Sequence, residues 1–319
     1  MNDISKLLLV LAMALMMSAI CTSLAIPILK RKQAGQSIRD EGPQSHKKKE
    51  GTPTMGGIAI LIAIGITAIA TKQFSPDAGF IGISLIAFGL IGFADDYMKV
   101  KKKHNLGLRA WQKILLQTVV SAALVVYFMA SRSNPTLVMV PFTDRVLDFS
   151  NYYLIFGILL LVASSNSVNL TDGLDGLASG VSAIVAAFFA IAGASLGFMT
   201  ESLFGVLIAG ACLGFLVFNR YPAKVFMGDT GSMALGGGLA AFSMATNLEL
   251  FLPIAGIVFV LEALSVILQV ASFKLTGKRI FKMAPLHHHF ELSGMKEQKV
   301  AVILWVITII FAAVAFGGL

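Results

Sequence analysis

Six segments carry nearly all the residues able to do chemistry. In NSVNLTDGLDGLASG (166–180), Asn166 and Asn169 lie three residues apart, and so do Asp172 and Asp175. On a helix, that spacing puts the members of each pair on one face. Gly173 and Gly176 remove side chains where a ligand backbone or phosphate can approach. The plainer reading is a polar loop in which Thr171 or Asp172 caps a helix. The segment has two Asn and two Asp but no Lys or Arg, which is unusual for a loop serving only as a connector.

Asp95 and Asp96 stand together in IGFADDYMKVKKK, followed by Lys99 and by Lys101 to Lys103. Adjacent carboxylates beside lysines suit Mg²⁺ and phosphate together, because hard oxygens ligate Mg²⁺ and ammonium groups meet phosphate charge. A solvated helix end is the competing reading. NRYPAKVFMGDTGS (219–232) holds Asp229 among Gly228, Thr230 and Gly231. Asp229 either caps the helix that follows or holds a metal whose other ligands are phosphate oxygens. Free amides at that helix start favour an anion. Phe226 either stacks a base or sits as an interfacial aromatic.

KMAPLHHHFELSG (282–294) contains His287, His288 and His289 without a Cys, so a structural zinc site is not expected. Three consecutive residues cannot share one helix face, and one or two at most point into a site, as phosphate ligands or as acid or base near neutral pH. KKKEGTPTMGG (47–57) offers Lys49, Thr52, Thr54 and glycines to a phosphate, but it lacks the GKS/T ending of a P-loop. It also reads as a basic flank. Glu262 and Gln269 lie seven residues apart inside an apolar run, roughly on one face. Carboxylates in such runs usually face a cavity or a partner, though either residue can simply bond between helices.

The elements that must position these groups follow from composition. The chain has 319 residues, 56% of them hydrophobic and only 13% charged, with a mean hydropathy of +0.82. An ordinary soluble domain has about 25% charged residues, and its outer shell must face water. This excludes a soluble globular enzyme, a disordered chain and a secreted disulfide scaffold, and leaves an all-α polytopic integral membrane protein. Spanning a core of about 30 Å takes roughly 20 apolar residues. Ten runs qualify as candidates, at about 4–29, 56–71, 79–97, 111–130, 152–166, 175–198, 202–218, 231–247, 250–273 and 298–317. The whole of 1–319 reads as a single integral membrane catalytic domain. The first run is too long for a secretory signal, lacks a clear cleavage site and is followed directly by Lys30-Arg31-Lys32. Cys21 and Cys212 fall inside apolar runs, which predicts buried free thiols.

The net charge of +8 does not point to nucleic acid. Twenty-one of the 25 Lys and Arg lie in alternate loops or at their edges, and only Lys6, Lys72, Arg132 and Arg145 lie on the other side. By the positive-inside rule the odd-numbered loops are cytoplasmic and both termini face outward. The inward loops hold nearly all the Asp, Asn, His and Gly clusters, so the working face is expected there. The outward loop 131–151, with Pro135 and Pro141, is long enough for a small hairpin. Clustered carboxylates, lysines and Gly-rich turns at one membrane face suit Mg²⁺-assisted phosphoryl transfer between a nucleotide and a lipid.

Five segments in this order, GTPTMGG, FADDYMKV, NLTDGLDGLASG, NRYPAKVFMGDTGS and MAPLHHHFELSG, make the resemblance specific. From about residue 30 to its end the chain resembles the bacterial phospho-N-acetylmuramoyl-pentapeptide transferases, a branch of the polyprenyl-phosphate N-acetylhexosamine-1-phosphate transferase superfamily. The acidic segments resemble the whole superfamily, while MAPLHHHFE and GTPTMGG point to this branch. The resemblance implies a ten-span homodimer in the bacterial inner membrane, with its active site on the cytoplasmic side. It implies Mg²⁺-dependent transfer of phospho-MurNAc-pentapeptide from UDP-MurNAc-pentapeptide to undecaprenyl phosphate, giving lipid I and UMP, the first membrane step of peptidoglycan synthesis.

The same resemblance assigns roles. Asp229 is the expected Mg²⁺ ligand. Asp95 and Asp96 match the catalytic pair, with Asp96 orienting or deprotonating the lipid phosphate, or less favourably attacking as a nucleophile. Asn169, Leu170, Asp172, Asp175, Asn219, Phe226 and Gln269 match positions around the uridine, with Phe226 stacking on uracil. His287, placed among the catalytic residues, and His288 match positions near the nucleotide or its phosphates. Lys49, Thr54, Lys99 and Asn166 are expected polar contacts, and the lipid tail is expected in a groove near the ninth span. The rival readings are a sister transferase of GlcNAc-1-phosphate and, from another class, an ion-coupled transporter or flippase. The transporter reading fits less well, because its polar residues would gather at the midplane.

Overall fold

Every one of the ten apolar runs forms helix, because each buries its own backbone polar groups, as a chain in hydrocarbon must. The computed structural model describes residues 2–31, 51–102 and 107–319. The helices are α1 (Asp3–Arg31), α2 (Gly57–Ala70), α3 (Pro76–Lys102), α4 (Ala110–Ser131), α5 (Tyr153–Thr171), α6 (Leu177–Ser195), α7 (Met199–Asn219), α8 (Gly228–Ala245), α9 (Leu252–Ala255), α10 (Ile257–Thr276), α11 (Leu286–Leu292) and α12 (Glu297–Phe316). Among the described residues, eight helices are long and apolar enough to cross a membrane: α1, α3, α4, α5, α6, α7, α10 and α12. The fold is that of an all-α polytopic membrane protein. Lys49 lies outside the described residues.

The fold is organised around α8. From Thr230 to Ala245 each of its residues is buried, and α3 and α5 pack along it. Small residues allow this, as they do where helices meet in membranes. A Cβ on Gly236 would lie 2.6 Å from the Ser164 carbonyl oxygen of α5, and one on Gly92 of α3 would lie 2.1 Å from the Asp229 carbonyl oxygen. The α1–α7 contact works the same way, with Gly214 against the Leu15 carbonyl oxygen.

Four expectations need correction. The ninth run is not one span: it breaks at Gly256 into α9 and α10, with Pro253 in the short first piece. The third run continues to Lys102, so Asp95 and Asp96 lie inside a helix, where Lys99 pairs with Asp95 at i, i+4. Asp172 and Asp175 do not share a helix face. The chain leaves α5 at Asp172 and re-enters helix only at Leu177, with Gly176 left-handed at φ +77°. Both cysteines are free thiols, but only Cys212 is buried, and Cys21 is partly exposed.

The loop after α4 does form a hairpin. Strands β1 (Leu137–Met139) and β2 (Val146–Asp148) pair antiparallel, with Val138 opposite Leu147. It lies at the opposite end of the bundle from the start of α8. Near it, Arg132 donates to the Ala245 carbonyl at 2.7 Å and pairs with Asp77 at 3.0 Å, which satisfies an orphan carbonyl at the end of α8.

Candidate active site

The start of α8 meets the ends of α3 and α5 and the start of α4. Gly228, at φ +74°, lets the chain turn into α8 where a side chain would strike both Asp96 and Thr54. A Cβ there would lie 2.7 Å from Asp96 Oδ2 and 2.9 Å from Thr54 Oγ1. The backbone before it is held by the segment preceding α2: Phe226 N–H donates to the Pro53 carbonyl at 2.8 Å, and Gly56 N–H donates to the Phe226 carbonyl at 2.9 Å.

Three carboxylates converge here. Asp95, Asp96 and Asp229 each offer an oxygen, and these oxygens lie within 4.8 Å of one another. Asp96 accepts from the Asp229 amide at 3.1 Å and from the Thr230 amide and hydroxyl at 2.9 and 2.7 Å. Asp95 accepts from the Leu108 amide at 2.8 Å and pairs with Lys99. Lys99 also lies 3.2 Å from Asp229. Lys113 of α4 reaches Asp229 Oδ2 at 2.7 Å and donates to Asn169 at 3.2 Å. Asn169 in turn donates to Asp229 Oδ1 at 3.0 Å and to Ser232 at 2.9 Å.

Asp172 closes the group. Burial and, next, the Asp229 and Asp96 carboxylates push its acid up to about 8, while the Gly228 amide acts the other way. Asp172 is therefore largely an uncharged acid at neutral pH, and the other three carboxylates face two ammonium groups, which leaves one negative charge. Hard carboxylate oxygens this close together, with negative charge in excess, suit a divalent cation such as Mg²⁺. The ammonium groups suit phosphate oxygens.

His287 joins the site from α11. It is buried, with its Nδ1 3.1 Å from Glu262 and its backbone amide donating to the same oxygen at 3.3 Å. Its other ring nitrogen lies over Gly173: a Cβ on that glycine would fall 2.2 Å from Nε2. The imidazole therefore rests on the turn that carries Asp172. His288 turns to Glu291 at 3.0 Å. His289 Nδ1 accepts from the Lys282 amide. The expectation that one or two of the three point inward agrees with this arrangement.

The structure thus brings Asp95, Asp96, Lys99, Asn169, Asp172, Asp229 and Thr54 together, with His287 alongside. Asn166 sits one turn before Asn169 and donates to Gln117 at 2.8 Å. Leu170 and Phe226 are half-buried beside the group. Three further expected site residues hydrogen-bond to loop backbone. Asp175 accepts from the Ala223 amide at 2.9 Å. Asn219 accepts from Ser179 and donates to the Val225 carbonyl. Gln269 accepts from the Ile280 and Phe281 amides and donates to the Phe281 carbonyl. Their amide and carboxylate groups are the right kind for holding irregular backbone.

Lys113, Thr230 and Ser232 also line the group, and the sequence pattern does not single them out. Lys113 carries a signal, a cation one turn inside an apolar helix, but in the sequence it counts only among the basic residues that set orientation.

Comparison with known proteins bears on this geometry. A glycosyl transferase family 4 model matches residues 78–247. Phospho-N-acetylmuramoyl-pentapeptide-transferase signature 1 matches residues 49–61. The phospho-N-acetylmuramoyl-pentapeptide-transferase of Shouchella clausii is 51% identical over 310 residues, which cover 96% of this chain and 95% of that protein. That of Clostridioides difficile is 48% identical over 313 residues, covering 98% and 97%. That of Bacillus pumilus is 49% identical over 310 residues, covering 96% and 95%.

Proposed function

The chain belongs to the phospho-N-acetylmuramoyl-pentapeptide-transferase family, and from that premise we propose the reaction and the residues that carry it. The enzyme is a phosphoglycosyl transferase of peptidoglycan synthesis. It moves phospho-MurNAc-pentapeptide from UDP-MurNAc-pentapeptide onto undecaprenyl phosphate, giving lipid I and UMP. The observation that carries the site assignment is the meeting of Asp95, Asp96 and Asp229 with Lys99 and Lys113 at the start of α8.

The acceptor is a phosphate monoester, with a second pKa near 6. At neutral pH it is largely a dianion and needs no strong base. One of its oxygens attacks the sugar-side phosphorus of the donor. The new P–O bond forms as the anhydride bond to the nucleoside phosphate breaks, and the electron pair leaves on UMP. Lys99 and Lys113 face the phosphates and spread the charge that develops. Asp229 would hold Mg²⁺, with Asp95 close enough to share it. The cation, when bound, neutralises diphosphate charge and polarises the phosphorus for attack. Asn169 fixes the Asp229 carboxylate. The turn bearing Leu170 and Asp172, with Phe226 and His287, forms the nucleotide side. His288, Thr54, Lys49 and Asn166 supply further polar contacts, and Asp175, Asn219 and Gln269 hold the loops around them.

The orientation rests on the basic loops. Ten spans, both termini outside and the site on the cytoplasmic face of the inner membrane satisfy the positive-inside rule. The chain acts as one domain over 1–319 and assembles as a homodimer. The test is UMP release by detergent-purified protein from UDP-MurNAc-pentapeptide plus undecaprenyl phosphate, with and without Mg²⁺, beside UDP-GlcNAc. Release that requires the lipid, the metal and the muramoyl donor is expected. Release from UDP-GlcNAc alone would move the chain to the sister branch.

A further inference from the structure

The first turn of a helix leaves backbone amides without partners, and the usual remedy is a side chain just before the helix. The residue preceding α8 is Met227, which supplies no such bond. The partner comes instead from α3. Asp96 accepts the Asp229 amide on Oδ1, and the Thr230 amide and hydroxyl on Oδ2.

We propose that Asp96 and Thr230 are positioning residues: together they cap α8 and so present Asp229 to the cation and the phosphates, leaving Asp96 neither a base nor a nucleophile. The proposal rests on the transferase reading above for what Asp229 does, and on geometry alone for the cap. A carboxylate has about four acceptor positions, and three hydrogen bonds already occupy Asp96. Its residue is 2% exposed. Lys99 Nζ, at 4.0 Å from Oδ1, is a further neighbour. A nucleophile needs a free lone pair facing phosphorus, whereas these lone pairs face α8.

The surrounding packing fixes that orientation. Gly92, one turn before Asp96 on α3, brings the α3 backbone against the Asp229 carbonyl, and Gly228 leaves the space that Asp96 Oδ2 fills. A negative group at this end also suits the helix dipole. Asp229 stands in the first turn of α8. Its reach to Lys99, Lys113 and Asn169 therefore depends on that turn being formed, and the cap is what forms it.

The test uses the full-length protein in detergent, with Asp96→Asn, Thr230→Val, the two combined, and Thr230→Ser. Thr230→Ala is read beside Thr230→Val, because it removes the hydroxyl without placing a methyl against the carboxylate. Three quantities are measured: Mn²⁺ binding by electron paramagnetic resonance, amide hydrogen exchange at residues 229–231 without metal, and turnover against Mg²⁺ concentration. Partners that orient a metal ligand typically contribute 10- to 100-fold in affinity. Asp96→Asn and Thr230→Val are each expected to weaken Mn²⁺ binding by at least about tenfold and to speed exchange in the first turn of α8. The double variant is expected to be no worse than Asp96→Asn, because both act through one cap. Thr230→Ser is expected to restore binding, and saturating Mg²⁺ is expected to recover most of the turnover in Asp96→Asn.

The proposal is overturned if Asp96→Asn loses turnover at saturating Mg²⁺ while Mn²⁺ binding and hydrogen exchange stay as in the wild type. It is equally overturned if Thr230→Val and Thr230→Ala leave all three quantities unchanged. A wild-type protein that releases no UMP with any donor would instead sink the transferase reading, while the exchange measurement would still judge the cap.

Discussion

Lys113 on α4 and Asp229 on α8 meet at 2.7 Å, across 116 residues of sequence. Lys99 approaches the same carboxylate oxygen from α3 at 3.2 Å. The oxygen is therefore shared by two ammonium groups, and the other oxygen is held by Asn169 at 3.0 Å. Such a carboxylate cannot swing away. In the proposed reaction, the two ammonium groups already stand where the phosphates would bring negative charge.

Replacing Lys113 with Met keeps the length of the side chain and removes the charge. Loss of one preorganised donor typically slows turnover by 10² to 10³. Lys113→Met is expected to lower the turnover number by about a hundredfold. UMP release at saturating donor and acceptor measures it. A variant that kept the wild-type rate would show that Lys113 only neutralises Asp229.

Asp229→Asn keeps the shape of the side chain but removes the charge. It is expected to weaken Mn²⁺ binding by tenfold or more and to abolish most Mg²⁺-dependent turnover. Titration of Mn²⁺ into the purified variant, beside the UMP assay, reads both. Unchanged Mn²⁺ affinity would place the cation elsewhere among the carboxylates.

Much of this arrangement was legible in the residues. All ten apolar runs became helices because apolar length in a bilayer allows little else. Asp95, Asp96 and Asp229 were legible because carboxylates beside lysines and glycines have few structural uses in an apolar chain. The division of labour between them was not. Nothing in FADDYMKV says that Asp96 bonds the amides of a helix starting more than 130 residues later, since that depends on Gly92 letting α3 touch α8. Lys113 was hidden for the opposite reason, as a basic residue near a helix start is also what sets membrane orientation. Asp175, Asn219 and Gln269 show the limit of residue type: an amide or carboxylate that could read a nucleotide can equally bind a neighbouring loop.

The far end of the bundle offers a prediction in pH. Glu249 lies between α8 and α9 and is 1% exposed. Tyr153 donates to its Oε1 at 2.6 Å, and its Oε2 has no hydrogen-bond partner among the described residues. Burial pushes its acid up to about 8, against the lowering effect of the Tyr153 bond. A carboxyl with a raised folded pKa favours the fold while it is protonated. Its contribution is complete below the ordinary range near 4.5 and is lost as pH rises toward about 8. Glu249→Gln keeps the acceptor for Tyr153 and cannot ionise. It is expected to gain on the wild type by a few kcal/mol at most as pH rises from about 5 to 8. Thermal unfolding in detergent across that range measures the difference. A wild type and variant with parallel pH profiles would mean that Glu249 is ionised in the fold.

Gly173 supplies the sharpest steric prediction. The Nε2 of His287 occupies the space where a Cβ would go, at 2.2 Å, and Cε1 follows at 2.7 Å. The ring has little room to retreat, because Glu262 lies 3.1 Å from Nδ1 and both residues are buried. Gly173→Ala must therefore move either α11 or the turn that carries Asp172. Overpacking of this kind costs about 1–3 kcal/mol, so a lower unfolding temperature is expected. The displaced turn lies on the nucleotide side of the proposed site. The Michaelis constant for the uridine donor is therefore expected to rise more than that for the lipid acceptor. His287→Ala removes the ring and opens the space that the new methyl needs. Groups in contact give non-additive effects, so adding Gly173→Ala to His287→Ala is expected to cost little more than His287→Ala alone. If the two losses simply added, the His287 ring would not be resting on this turn, and the link from Glu262 through His287 to Asp172 would have to be abandoned.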